Sequence, residues 1–343
     1  MLLKEIIDFK NGKKKPSSEG SVPIYGGNGI LGYTDQNNQD EESLIIGRVG
    51  AYCGCVYSHY GKCWISDNAI VGKVKEGNDF YYCYYLLKRL NLNSRHVGSG
   101  QPLMTQEILN NIEINICDYE TQCKIGKILK NIDDKIKINN EINNNLYEIS
   151  KQLLLKYLED NSDSEEINIS ELLNVFTGKK NANETSPNGK YKFFSCAPES
   201  LLSDTFLYDG AAIIVAGNGA YTGRTRFYDG KFELYQRTYG LTLKDDVNKN
   251  NIYGLYVFMK TIFEPDKMGG THGSAIPYIV LSDLTDYKLK YNKIEFEKFS
   301  DLVSNNIKMI QENEKNNEEL SQLRDTLLPK LMNGEIDLDN IEI

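Results

Sequence analysis

Cys53, Cys55, His59 and Cys63 are four residues of zinc-ligand type lying close together. Structural zinc sites are usually closed by a C-x2-C knuckle, and this C-x-C-x3-H-x3-C run has none. At an offset of 169 residues the chain has Thr222 and Arg224 in place of the first two cysteines. Buried thiols on a hairpin are the better reading, and no metal is expected. Pro265-Asp266 followed by Asp286-Tyr287-Lys288 has the layout of a metal-dependent nuclease, but so short a pattern recurs by chance and reads as surface charge. Gly27-Asn-Gly-Ile-Leu-Gly32 matches G-x-G-x-x-G, yet the polar run after it cannot open the helix that a dinucleotide fingerprint requires. A hairpin loop fits it better. The three histidines, His59, His96 and His272, suggest no nucleophile–base pair. No two of the eight prolines adjoin, so the Pro-Pro loop expected of amino-group methylation of DNA is missing. The chain itself is expected to hold no catalytic group and no cofactor.

Recognition chemistry is what remains. Lys13, Lys14 and Lys15 near the start, and Lys179 with Lys180 in mid-chain, are suited to phosphates. Two glycine-rich stretches display Arg48 and Tyr52 in one case, and Asn218, Tyr221, Arg224 and Arg226 in the other. Arginine and asparagine can make paired hydrogen bonds to guanine and adenine edges. Arg95, His96 and Gln101 lie in a polar loop, and His272 lies in its later counterpart. Asn28 and Arg237 complete the candidate DNA contacts. Any one of these could be an ordinary solvated loop; their recurrence at matching places is what favours recognition, with double-stranded DNA the partner such side chains would suit.

The elements that must position them form a duplication. Residues 120–160 and 295–335 coincide at an offset of 174, with Leu129 on Val303, Ile136 on Ile310 and Ile149 on Leu323. A fixed-offset repeat decides the architecture before any local reading. Ile125, Ile128, Ile132, Ile136, Ile142, Leu146, Ile149 and Leu153 are mostly three or four apart, which predicts a long helix with a heptad-like seam. Asn139 and Asn143 interrupt that seam, and Asn313 and Asn317 interrupt the second copy; polar seam residues fix register. The two rods are expected to pack antiparallel with these asparagines meeting.

Before each rod lies a globular segment. The first is expected to hold strands at 22–25, 43–46, 55–57 and 69–71, a helix at 80–90, and a strand at 112–116 leading into the rod. The second repeats the plan, with residues 211–223 echoing 42–54 and residues 271–277 echoing 96–102. The predicted division is 1–118, helix 119–161, 162–293, helix 294–336 and a tail at 337–343. The fold class is α+β: two mixed α/β domains joined by two long helices in an antiparallel coiled coil, with a pseudo-twofold internal repeat.

The formal net charge of −9 seems to oppose nucleic acid, but residues 1–117 carry 12 basic and 12 acidic side chains, and residues 165–294 carry 15 of each. The deficit therefore sits on the rods and tail, so net charge neither excludes DNA nor points to it. The seven scattered cysteines, the lack of a long apolar run and an N-terminus unlike a signal peptide predict a reduced, cytoplasmic chain with no membrane partner.

Pro23-Ile-Tyr-Gly-Gly-Asn-Gly29, Ile46-Gly-Arg-Val-Gly-Ala51, Trp64-Ile-Ser-Asp-Asn-Ala69 and Leu323-Arg-Asp-Thr-Leu-Leu-Pro-Lys-Leu331 resemble the specificity subunit of Type I restriction-modification systems. The likeness spans nearly the whole chain. It implies a non-catalytic DNA reader with two target-recognition domains, each reading half of a bipartite site. The helices would space these domains and dock modification methyltransferase subunits, two per chain. S-adenosylmethionine would be bound by those partners, and ATP and Mg2+ would serve an ATP-dependent restriction subunit. Phe193-Phe-Ser-Cys-Ala-Pro198 departs from the Tyr-Gly-Gly-Asn-Gly pattern of the first segment, so a hairpin there is not assured by motif. A self-contained metal-dependent nuclease and a coiled-coil adaptor without DNA binding are the alternatives.

Overall fold

The computed structural model describes residues 1–98, 100–263 and 277–338. The chain forms two compact units, Met1–Lys137 with Asn317–Ile343, and Ile138–Asn316. The fold is α+β, and each unit contains one globular segment with parts of both long helices.

In the first unit, β1 (Ile7–Asn11), β2 (Val22–Gly26), β3 (Gly29–Thr34), β4 (Ser43–Gly47), β5 (Val56–His59), β6 (Trp64–Ile65) and β7 (Ala69–Val74) form two sheets. Their orders are β1-β7-β4-β5 and β3-β2-β6. Side chains alternate across a strand, so β4 serves two cores. Leu44 and Ile46 join the helical core, while Ile45 packs with Tyr25, Cys63 and Ile65 between the sheets. The helical side holds α1 (Phe80–Arg89), α2 (Gln106–Asn110) and the first part of α3 (Tyr119–Asp160). Asp79 caps α1 by accepting from the Tyr82 N–H at 2.7 Å, and Thr105 caps α2 in the same way.

The predicted strand at 112–116 is corrected. Its backbone pairs across the chain with the first residues: Leu3 N–H donates to the Ile112 carbonyl, Ile114 N–H to that of Met1, and the Met1 amino group to the Ile114 carbonyl. So short a partner makes an isolated bridge, not a ladder.

The second unit has β8 (Glu166–Asn168), β9 (Leu173–Thr177), β10 (Tyr191–Phe194), β11 (Leu201–Ser203), β12 (Tyr208–Ala216), β13 (Thr225–Leu234) and β14 (Thr238–Leu243). After them come α4 (Asn251–Ile262), α5 (Leu281–Thr285), β15 (Lys288–Lys290) and α6 (Lys293–Met332). Six strands form one sheet, β11-β10-β13-β12-β14-β9, and β15 pairs with β8. One long strand, β13, does the work of both β5 and β6. Its first part pairs antiparallel with β12, and its end runs parallel to β10, as β6 runs parallel to β2. β10 also pairs antiparallel with β11, so the hairpin is present despite the divergent motif.

The long helices form where predicted, over 42 and 40 residues, and Gly334 ends α6 with φ 69°. They run antiparallel: in the second unit Asn313 Nδ2 donates to Asn143 Oδ1 at 2.8 Å, and Asn306 Nδ2 to Ser150 Oγ at 3.2 Å. The seam is the expected one at Ile125, Asn139 and Asn143, which are buried, but not beyond them: Ile142 and Ile149 are exposed, whereas Tyr147, Ser150, Leu154 and Tyr157 are buried. These buried positions are also three and four apart, so spacing alone could not choose between the lines. The polar line wins where its groups bond across the helices. In the first unit Arg324 Nη1 donates to Asp133 Oδ1 at 2.6 Å, and the Tyr85 hydroxyl donates to Asp133 Oδ2 at 2.6 Å.

A polar pair in a helical seam specifies register at a cost in stability. Replacing both Asn143 and Asn313 by leucine should therefore raise the unfolding midpoint. Cysteine cross-linking at the Ser150/Asn306 positions should then spread to neighbouring residues. A single retained register would mean that contacts elsewhere set it.

Candidate nucleic-acid interface

Four loops meet at one end of the first unit's sheets: the turn after β2, the stretch 48–54, the turn 66–68 and the loop 95–103. Five backbone hydrogen bonds hold the last three of them to one another and to the end of β4. Gly47 N–H donates to Cys55 O (2.8 Å), Gly54 to Gly47 (2.8 Å), Arg48 to Asn68 (2.9 Å), Gly50 to Pro102 (3.1 Å) and Met104 to Arg48 (2.8 Å). The second unit contains the same five. Ala216 donates to Arg224 (2.9 Å), Gly223 to Ala216 (2.9 Å), Gly217 to Arg237 (2.9 Å), Gly219 to Pro277 (3.0 Å) and Ile279 to Gly217 (2.8 Å). The turn residues agree as well, with Gly50 and Gly219 at φ 73° and 86°, a left-handed conformation that glycine adopts without a Cβ clash. One backbone frame is thus built twice, and its side chains differ.

On the first frame, Asn28, Tyr52, Arg95, His96 and Gln101 are exposed, as are Lys13, Lys14 and Lys15. The lysine segment is anchored by Lys13 N–H to the Ile65 carbonyl (2.9 Å) and by the Trp64 indole to the Lys13 carbonyl (3.3 Å). All three lysines lie at the surface. Arg48 is half-buried; Nη1 donates to the Asp67 carbonyl at 3.3 Å, and Nε is buried without a partner. Arg95 Nε donates to the Leu90 carbonyl at 3.0 Å.

On the second frame, Lys179, Tyr221 and Arg237 are exposed and Asn218 is half-buried. The Arg224 guanidinium lies over the Tyr221 ring, 4.4 Å from its centroid. Asn218 Oδ1 accepts from the Cys196 thiol at 3.1 Å. His272 lies outside the described residues.

Two expected contacts are reassigned. Lys180 is turned inward: Nζ donates to Ser203 Oγ (3.0 Å) and Thr205 Oγ1 (2.6 Å) and lies 3.5 Å from Glu233 Oε2. Glu233 is only 5% exposed, and a buried carboxylate requires a cation and hydrogen bonds. Lys180 supplies the cation, so its charge is committed within the protein. Arg226 is likewise turned inward. Nη2 donates to the Ala197 carbonyl, the guanidinium stacks on Phe194, and Nη1 is buried without a partner. Burial, and secondarily the Arg224 charge, hold its pKa below the usual arginine value. It braces the turn after β10, while Arg224 lies over the Tyr221 ring.

The cysteine group does not assemble as a metal site. Cys53 and Cys63 are buried, and burial pushes the Cys63 thiol up to about 11. His59 Nδ1 faces the Tyr25 hydroxyl at 3.1 Å and Nε2 the Lys62 carbonyl at 3.2 Å, which fixes the proton on Nε2. Among the described residues no three His, Cys, Asp or Glu side chains are grouped for a metal ion. The glycine motif forms the β2–β3 hairpin, with no helix starting within it. Asp286 accepts from the Thr285 hydroxyl and Lys288 faces Glu166, so the two do not form a joint site; Asp266 lies outside the described residues. Among the described residues, no helix is long and apolar enough to cross a membrane.

Sequence reading missed Asn68 and Cys196. Asn68 lies in the Trp64–Ala69 motif, and its carbonyl accepts from Arg48, but only the fold brings those two turns together.

Two curated proteins of Escherichia coli are similar to parts of this chain. The Type I restriction enzyme EcoprrI specificity subunit is 34% identical over 111 residues, 32% of this chain. The EcoDI specificity subunit is 34% identical over 124 residues, 36% of this chain. The matches span only 28% and 26% of those relatives. A crystal structure of the Type I restriction-modification system S subunit from M. genitalium superposes with a TM-score of 0.66 at 18% identity, over 97% of this chain and 95% of that one, a likeness of fold. The family model described as the Type I restriction modification DNA specificity domain matches residues 1–148 and again 161–322. The two matches fall on the two copies of the repeat, and the chain belongs to the Type I restriction modification DNA specificity domain family.

Proposed function

We propose that this chain is the non-catalytic, DNA-reading subunit of a cytoplasmic Type I restriction-modification complex. Each unit reads one half of a bipartite duplex target. The observation that carries this reading is the doubled loop frame: five equivalent backbone bonds hold two different sets of Arg, Asn, Tyr and Lys side chains. A frame kept while its polar side chains vary is what two readers of different half-sites require. Lys13, Lys14, Lys15 and Lys179 engage phosphates, and the loop side chains read base edges.

Methylation and cleavage belong to partners. Two modification methyltransferase subunits per chain carry S-adenosylmethionine, and an ATP-dependent restriction subunit uses ATP and Mg2+. The helices offer these partners an apolar surface. Ile138, Ile142 and Ile149 share one exposed face of α3, and Leu302 and Met309 are exposed on α6. In the seam, Asn139, Asn143, Asn313 and Asn317 set the register.

The test is reconstitution of the chain with its modification subunits, followed by selection from randomised duplexes. A bipartite motif with methylated adenine is expected. Binding without sequence preference would refute the reading, as would Mg2+-dependent cleavage by the chain alone.

A further inference from the structure

The equivalence of the two frames carries the register of 42–54 on 211–223 over to residues that the motifs do not align, Asn68 and Arg237. The N–H of Arg48 donates to Asn68 O, and in the second unit the corresponding bond runs from Gly217 to Arg237. Arg48 thus corresponds to Gly217, and Asn68 to Arg237. Each copy has one arginine at this bond, but at opposite ends of it: on the donor residue in the first unit and on the acceptor residue in the second.

The surroundings differ accordingly. In the first unit the turn after β2 contributes Gly27, where an added Cβ would lie 3.4 Å from Asn68 O, so the place beside the bond is empty but not cramped. In the second unit Cys196 occupies that place, with its thiol 3.3 Å from Arg237 O and 3.1 Å from Asn218 Oδ1. Arg48 is held by the Asp67 carbonyl with Nε buried and unmatched, while Asn68 and Arg237 are exposed. An exposed amide beside a braced guanidinium presents the two side-chain types that bond bidentately to adenine and guanine edges.

We infer that residues 48 and 68 in the first unit, and 217 and 237 in the second, are one base-reading locus built twice. Moving the arginine across the backbone bond is how the two half-sites come to differ there. Asn68 is thereby a specificity-determining residue of the first reader. This rests on the reading that the units bind DNA, and it deepens that reading by naming where a base is read.

The experiment uses the full chain assembled with its modification subunits and selection from randomised duplexes. Arg48→Ala should relax preference at one base pair of one half-site, by roughly tenfold to a hundredfold in discrimination, leaving the other half-site intact. Asn68→Ala should do the same at that base pair or its neighbour. Arg48→Lys keeps the charge but loses the planar fork, so it should keep affinity while losing discrimination; this covers the case in which the alanine variant fails to fold. The exchange Arg48→Gly with Asn68→Arg should select a new base in the same half-site. If these variants bind all sequences more weakly while the wild-type motif is kept, the locus is a phosphate contact and the inference falls, although DNA reading stands. If the wild-type complex selects no motif, the proposed function fails and the locus with it.

Discussion

Lys180→Met should destabilise the second unit while leaving the salt dependence of DNA binding unchanged. The lysine provides the cation for Glu233, whose side chain is 7% exposed. Glu233 also accepts from Leu234 N–H (3.1 Å) and from the Thr205 hydroxyl (3.1 Å). Breaking a buried pair from one side costs roughly 3–5 kcal/mol, and somewhat less here because a quarter of the Lys180 side chain reaches water. Thermal denaturation should show the loss. Adding Glu233→Gln should restore most of it, since glutamine keeps an acceptor for Leu234 and removes the orphaned charge. Exposed Lys14 and Lys15 should behave in the opposite way. Changing either to alanine should leave the midpoint unmoved and flatten the slope of log K against log salt by ~0.9 per lost phosphate contact. A flattened slope in Lys180→Met with no loss of stability would return Lys180 to the phosphate-binding set.

Exchange of the second reader should respecify one half of the target, provided that the graft follows the core and not the loops. A graft of residues 165–294 alone would cut that core. Tyr157 and Leu154 of α3 and Phe296, Phe299 and Val303 of α6 pack with Ile252, Leu255 and Tyr256 of α4. The Tyr157 hydroxyl also donates to the Lys290 carbonyl at 2.9 Å, and a Cβ at Gly254 would lie 2.3 Å from Ser300 Oγ. A relative's side chains placed against these helices would leave cavities or overlaps, each costing about 1–5 kcal/mol. The 165–294 graft should therefore assemble poorly, whereas a graft of 138–316 should be stable and change one half-site of the methylated motif completely. Methylated-motif sequencing and a melting curve read the two effects separately. Change in both half-sites would show that the units do not read independently.

The duplication and the two long helices were legible in the sequence because each depends on local order. A 174-residue offset and an apolar repeat of three and four are properties of the chain read in line. Most strands were legible for the same reason. Tertiary structure decided everything that depends on which line of side chains meets a partner. Ile142 and Ile149 fit a helical seam as well as Tyr147 and Ser150 do; only the opposing helix, with Asn306 and Asn313, selected the polar line. Lys179 and Lys180 are indistinguishable as a basic pair, yet alternation along the chain turns Lys180 toward a glutamate 53 residues away. Arg224 and Arg226, two residues apart, are separated because Arg224 lies in the turn before β13, over the Tyr221 ring, whereas Arg226 lies within the strand and bonds the Ala197 carbonyl after β10. Asn68 stands in the Trp64–Ala69 motif, but its link to Arg48 is a backbone bond that forms only when two turns meet at the end of a folded sheet.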